Sequence, residues 1–124
     1  MSTNSASSSS TSFDKGQRIK ISKIASLIGA IRKVDAEMPL GQVMFFIAVA
    51  QNEGKSLKEI SELCGLLIPS ASRYLASLSY ISGYRQSGGV SLVHATEHPL
   101  DRRQKVIVLT VAGRKLIEGL IGGI

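Results

Sequence analysis

The chain has 124 residues, 44% of them hydrophobic, and a formal net charge of +6. That length points to one domain with a real core, and the single cysteine, Cys64, excludes an intrachain disulfide framework. The longest apolar runs, such as "VMFFIAVA", are too short to cross a bilayer, no signal-peptide core is expected at the start, and the basic balance favours nucleic acid or another anionic surface as partner.

In chain order, "MSTNSASSSSTS" is low-complexity Ser/Thr with almost nothing to bury, so residues 1–16 are predicted to form a disordered tail. Residues 17–35 place Ile21, Ile24, Ala25, Ile28 and Ile31 at helical spacing, with Lys20, Lys23, Arg32 and Lys33 largely on other faces. This is an amphipathic helix. Pro39 breaks the chain, and residues 40–52 read as a strongly apolar helix with a stripe of Val43, Phe46, Ile47 and Ala50. A short helix follows over 56–65, with Ser56 as N-cap and Glu59 three residues on. Its inward face is predicted to be Leu57, Ile60, Leu63 and Cys64, and Gly65 closes it.

After a tight connection, Pro69 suits the first turn of a helix over 69–81, with Ala71, Leu75 and Leu78 inward. The segments 90–95 and 104–109 both alternate, predicting an antiparallel hairpin with its tip near 97–103. Thr110 is the expected N-cap of a last helix over 111–122, which Gly113 weakens. Two short helices joined by a Gly-containing turn make a helix-turn-helix. With a two-stranded wing behind it, the predicted fold is a winged helix-turn-helix, mainly α with a small β-hairpin (α+β).

The sequence carries no glycine-rich phosphate loop, no nucleophile elbow and no paired catalytic carboxylates, so it reads as a non-enzyme without cofactor. His94 and His98 are four apart in a strand-to-turn setting and do not form a metal-ligand pattern. Cys64 falls on the inward helix face, where an inert buried thiol is the stronger reading over a redox sensor. Tyr74 reads as core; Tyr80 and Tyr84 stay open between packing and base stacking.

Over 38–78 and 101–120 the sequence resembles the MarR (multiple-antibiotic-resistance-regulator) family of winged-helix transcription factors. The resemblance rests on Asp101 and Arg103 as an Asp-x-Arg at the wing tip, then Leu109-Thr110-x-x-Gly113 entering a helix, and Ser72-Arg73 in the recognition helix. It departs from the family at the long connection 79–89, at His94 and Ala95 in the first wing strand, and at Leu67 and Ile68 before Pro69. Family members usually continue beyond the point corresponding to Ile124 through helices of the dimer interface.

The resemblance implies a wing, 97–105, whose Arg102 and Arg103 reach backbone or minor groove while Asp101 orients an arginine; the spacing points to Arg103. Arg suits that task because its planar fork offers several donors and stays charged. The bland alternative is a solvated turn with a surface ion pair worth about 0–1 kcal/mol. Helix 69–81 would enter the major groove, presenting Ser70, Ser72, Arg73 and Ser77. Lys55, Ser56 and Lys58 surround the start of the 56–65 helix, where free N–H groups can hold a phosphate, and Lys105 adds to the wing charge.

The function read from the sequence is a cytoplasmic, nucleoid-associated regulator that binds double-stranded DNA sequence-specifically. Repression is favoured, since occluding a promoter needs no further partner. A homodimer is expected through residues 17–35 and 111–122. The alternatives are a winged-helix protein-interaction module, contacting its partner through Leu67, Ile68 and the 79–89 connection, and a non-specific DNA-binding replication or architectural factor.

Overall fold

The computed structural model describes residues 12–82 and 89–123. Four helices come first: α1 (Lys15–Val34), α2 (Leu40–Gln51), α3 (Leu57–Cys64) and α4 (Ile68–Ser79). A two-residue strand β1 (Ile81–Ser82) pairs antiparallel with β2 (Gly89–Val90). A longer hairpin, β3 (Val93–His98) and β4 (Asp101–Leu109), leads into α5 (Val111–Gly122). This is the winged helix-turn-helix order that the sequence predicts.

Helix boundaries follow local chemistry. Asp14 caps α1 through a capping box with Gln17, so the helix begins at Lys15 and takes in the end of the segment predicted as a tail. Residues 1–11 of that predicted tail lie outside the described residues. Ser56 and Glu59 form the same reciprocal box on α3, and Gly65 closes it in the left-handed conformation at φ 69°. Thr110 caps α5 by accepting from Gly113 N–H. Helix α4 runs one residue earlier than expected and stops at Ser79, because Tyr80 turns extended to enter β1.

The core gathers Phe45, Phe46 and Val49 of α2, Ile60 of α3, Ala71 and Leu78 of α4, and Leu92, Val93 and Ile107 around the hairpin. On α2 the buried face is Gln42, Phe45, Phe46, Ala48 and Val49; of the predicted stripe only Phe46 is fully buried, and Val43, Ile47 and Ala50 are half-buried. The helix is apolar almost all round, so periodicity has little polar contrast from which to select a face. On α3, Ile60 and Ser61 are buried, Leu57 and Cys64 half-buried, and the predicted inward Leu63 is exposed. Ser61 is accommodated because its hydroxyl donates to Lys58 O at 2.8 Å.

The hairpin also differs from its prediction. Its ladder runs from Val93↔Leu109 to His98↔Asp101, with an irregularity between Glu97 and His98. Only Pro99 and Leu100 form the tip, so Arg102 and Arg103 stand on β4 rather than in a loop, and Lys105 is on the strand as predicted. Val90, expected to open the first wing strand, instead pairs with Ile81.

Gly113 has a packing role rather than only a propensity cost. A Cβ there would stand 2.1 Å from the Leu92 carbonyl oxygen, a backbone atom fixed by the Thr110 N–H. Gly113→Ala is therefore expected to destabilise the fold by about 1–3 kcal/mol, the usual cost of overpacking. This outweighs the gain of about 1 kcal/mol in helix propensity, and a lowered urea midpoint at unchanged m-value checks it.

Candidate nucleic-acid interface

The wing is held to the helical body by the short segment between α2 and α3. Gly54 N–H donates to Ile107 O, and Ile107 N–H donates to Lys55 O, both at 2.9 Å. Lys55 and Ile107 thus form an isolated antiparallel bridge, a third strand reduced to one residue pair. Gly54 makes the turn with φ +90°, a conformation that favours glycine. Glu53 completes the stitch: its carboxylate accepts from Leu109 N–H at 2.9 Å and from the Arg114 guanidinium. One side chain therefore links the end of α2, the base of β4 and the first turn of α5.

Burial alone would push the Glu53 carboxyl up. The Leu109 N–H bond, together with the hydrogen bond and charge of Arg114, outweighs burial and holds it below the usual carboxylate range. No sequence signal marks Glu53 as this link, because its partners lie 56 and 61 residues away.

At the far end of the wing, Asp101 Oδ1 accepts from both Arg103 N–H (3.1 Å) and Arg103 Nε (3.2 Å). The Arg103 side chain is 92% exposed and that of Asp101 33%. Such a pair adds little stability, so its structural effect is to restrict the direction of a guanidinium that still has free donors. Arg102, Arg103 and Lys105 are all exposed, and Arg102 and Arg103 fall where the ladder is irregular, between the Lys105 and Asp101 pairings. Lys105 stands directly opposite Glu97 on β3, an opposite-charge cross-strand pair.

An open groove joins the elements. Ser56, Lys58 and Glu59 of the α3 start, Ile68 of α4, and Gln104 and Lys105 of β4 line it together. The predicted residues Ser56, Lys58 and Lys105 thus converge on one surface with the first turn of α4. Lys55 lines a neighbouring depression with Glu59, Glu62 and Leu63. The start of α3 is less open to an anion than its lysines suggest. Ser56 Oγ already accepts from Glu59 N–H, and Glu59 returns a carboxylate oxygen to Ser56 N–H. The backbone and hydroxyl of Ser56 hold the Glu59 carboxyl below its ordinary range, so a negative charge sits at the first turn.

On α4, Ala71 and Leu78 point into the core while Ser72, Arg73, Ala76 and Ser77 are exposed and Ser70 is half-exposed. With helical periodicity Arg73 lies nearly opposite Ala71, at the centre of the outward face. Ser77 is drawn to the other end of the helix, where it lines a cavity with Val34, Asp35, Tyr80 and Ile81. Tyr74 packs on α2, so close that a Cβ at Gly41 would meet its hydroxyl at 2.8 Å. Tyr80 lies against Gly89 in the same way, and Tyr84 falls outside the described residues.

Cys64 is half-buried, and burial raises its thiol. That disfavours the thiolate and a redox role. Among the described residues no group of His, Cys, Asp or Glu is arranged to hold a metal ion, and no helix is long and apolar enough to cross a membrane.

The sequence matches no family model and no curated protein. Its fold is similar to that of a variant of S. aureus MepR bound to an oligodeoxyribonucleotide, at 21% identity and TM-score 0.60, over 90% of this chain and 76% of that one. It is similar to the transcriptional repressor CouR bound to a 23-mer DNA duplex, at 21% identity and TM-score 0.55, over 86% of this chain and 68% of that one. It is also similar to a MarR family transcription regulator, at 16% identity and TM-score 0.56, over 87% of this chain and 64% of that one. At these identities the likeness establishes the fold, a winged helix.

The Glu53 linkage has a definite sign. Its folded-state pKa is depressed, so its stabilising contribution is present above the ordinary carboxylate value and lost as pH falls through the lowered one. Urea unfolding between pH 6 and pH 3 is expected to show a steeper acid loss in the wild type than in Glu53→Gln. Equal slopes would show that the link contributes nothing to stability.

Proposed function

We propose that this chain is a double-stranded DNA-binding transcription regulator of the MarR-like type, acting in the cytoplasm on the nucleoid. The observation that carries the reading is the shared groove, where the first turn of α4, the start of α3 and the cationic strand β4 form one surface. A helix with small outward side chains beside a basic wing suits a duplex: α4 in the major groove, the wing on the adjacent backbone or minor groove. The oligodeoxyribonucleotide bound to the MepR variant and the duplex bound to CouR support this reading.

In this proposal Arg73 contacts guanine or phosphate from the middle of α4, with Ser70, Ser72 and Ser77 beside it. Arg103 is the principal wing contact, held by Asp101, with Arg102 and Lys105 adding phosphate contacts. Lys55, Ser56 and Lys58 neutralise backbone charge at the groove's edge. Sequence specificity comes from α4, and occlusion of a promoter makes the regulator a repressor.

The chain acts as a homodimer in this reading. On α1, Ile21, Ile24 and Ile28 share one stripe and are 44%, 57% and 54% exposed, and on α5 Ile121 is 61% exposed. Uncovered apolar surface on two helices of one domain is the mark of an interface. A two-fold pair of winged helices would read two half-sites about one helical turn apart. The exposure of Leu63 and Leu67, 59% and 76%, favours a second reading in which this end of the helix-turn-helix meets a protein.

Binding to random-sequence duplex across a salt series separates the two. The DNA reading expects log affinity to fall linearly with log salt, with the slope reduced by about one in Arg103→Ala. A folded protein with no affinity at low salt would sink that reading. Charge reversal of Arg102 and Arg103 to Glu should abolish DNA binding, whereas a protein-interaction function would survive it. For the dimer, Ile24→Glu combined with Ile28→Glu is expected to halve the mass seen by sedimentation equilibrium and to weaken binding to a two-half-site duplex more than to a single half-site.

A further inference from the structure

The wing ends in an apolar point. Leu100 is 91% exposed, the most exposed large apolar side chain among the described residues. It sits between the last ladder pair, His98↔Asp101, and is therefore at the extremity of the hairpin. Single exposed leucines are common on protein surfaces and need no explanation. This one differs in being rigidly presented. Pro99 fixes the preceding backbone dihedral, and the Leu100 N–H donates to His98 Nδ1 at 3.0 Å. On its other side, Asp101 is tied to Arg103 through two hydrogen bonds. A polar residue in that turn would be solvated at no cost. A leucine is instead held out on a pinned loop, beside Arg102 and Arg103.

We propose that Leu100 is a DNA-contacting residue, which packs against the deoxyribose walls of the minor groove when the wing docks. This inference rests on the DNA-binding reading above. The arginines supply the attraction to phosphate, and the leucine supplies van der Waals contact at the bottom of the approach. A groove about 6 Å wide admits a narrow hairpin tip more readily than a helix. Its walls are sugar C–H surface, which offers an apolar side chain contact without hydrogen-bonding demands. Apolar side chains inserted from the minor groove are a recognised means of engaging DNA. Such a contact buries apolar surface without displacing counterions, so it is distinguishable from an arginine contact by its salt dependence.

The test is the salt dependence of binding to a duplex selected from a random pool by the wild-type protein, or to the random pool itself where selection enriches no sequence. Leu100→Ser, Leu100→Met and Arg103→Ala are compared with the wild type. Leu100→Ser preserves the backbone bond to His98 and alters an exposed side chain, so its thermal unfolding should match the wild type. The expected result is a loss of roughly tenfold in affinity for Leu100→Ser, in line with the burial of one leucine side chain, at an unchanged salt slope. Leu100→Met should restore most of that loss, and Arg103→Ala should lower the slope. Wild-type binding with Leu100→Ser equally tight overturns the inference and leaves the DNA reading standing. A Met variant as weak as Ser, or a changed slope in Leu100→Ser, also overturns it. No binding by the wild type at low salt removes both together.

Discussion

The structure depends on a single backbone bridge. Ile107 N–H donates to Lys55 O, Gly54 N–H donates to Ile107 O, and the Glu53 carboxylate accepts from the Leu109 N–H and from Arg114. An isolated two-stranded hairpin is marginal in water. Here it gains a third pairing and contributes Val93, Ile107 and Leu109 to the core shared with the helices. The same bridge fixes the angle between wing and helix-turn-helix. Gly113 does the matching work on the other side, where α5 comes within contact of the Leu92 carbonyl.

In the proposed reading, stability and DNA recognition are carried by different residues. The core is built from apolar side chains with few polar guests, such as Ser61, whose hydroxyl is satisfied locally. The cations named for DNA contact are on exposed or half-exposed positions and make little contribution to folding. The Asp101–Arg103 pair illustrates the separation. It is too exposed to stabilise much, yet it narrows the directions open to one guanidinium before any ligand arrives. If the wing docks on DNA as proposed, binding loses less side-chain freedom, which is the advantage of preorganisation. Glu59 acts in the opposite sense, since it caps α3 while placing negative charge beside Lys55 and Lys58. The surface at the start of α3 is consequently less cationic than a count of its lysines implies.

Much of this was legible in the sequence, and the legible part was local. The caps at Ser56 and Thr110, the Gly65 stop and the order of elements depend on residues within a few positions of one another. The Asp-x-Arg spacing likewise placed Asp101 within reach of Arg103. What escaped was relational. The inward face of α3 turned by one position, exchanging Leu63 for Ser61, because two neighbours and not the helix's own period decide which side is covered. The same held for α2, whose sequence is apolar on nearly every face. Gly113 looked like a weak point in a helix, since the carbonyl it accommodates lies on a separate element.

The sequence by itself determined the order of helices and hairpin, the caps at Ser56 and Thr110, the Gly65 stop and the chemistry available near the wing tip, because those follow from periodicity, capping and residue type over short spans. Only the tertiary structure decided that Glu53 ties the wing down, that Ser56, Lys58 and Lys105 share one groove, and that Ile24, Ile28 and Leu100 are left facing outward. These are consequences of distance in space between residues far apart in the chain. Burial and pairing across such separations depend on how the elements pack, and no local pattern encodes that.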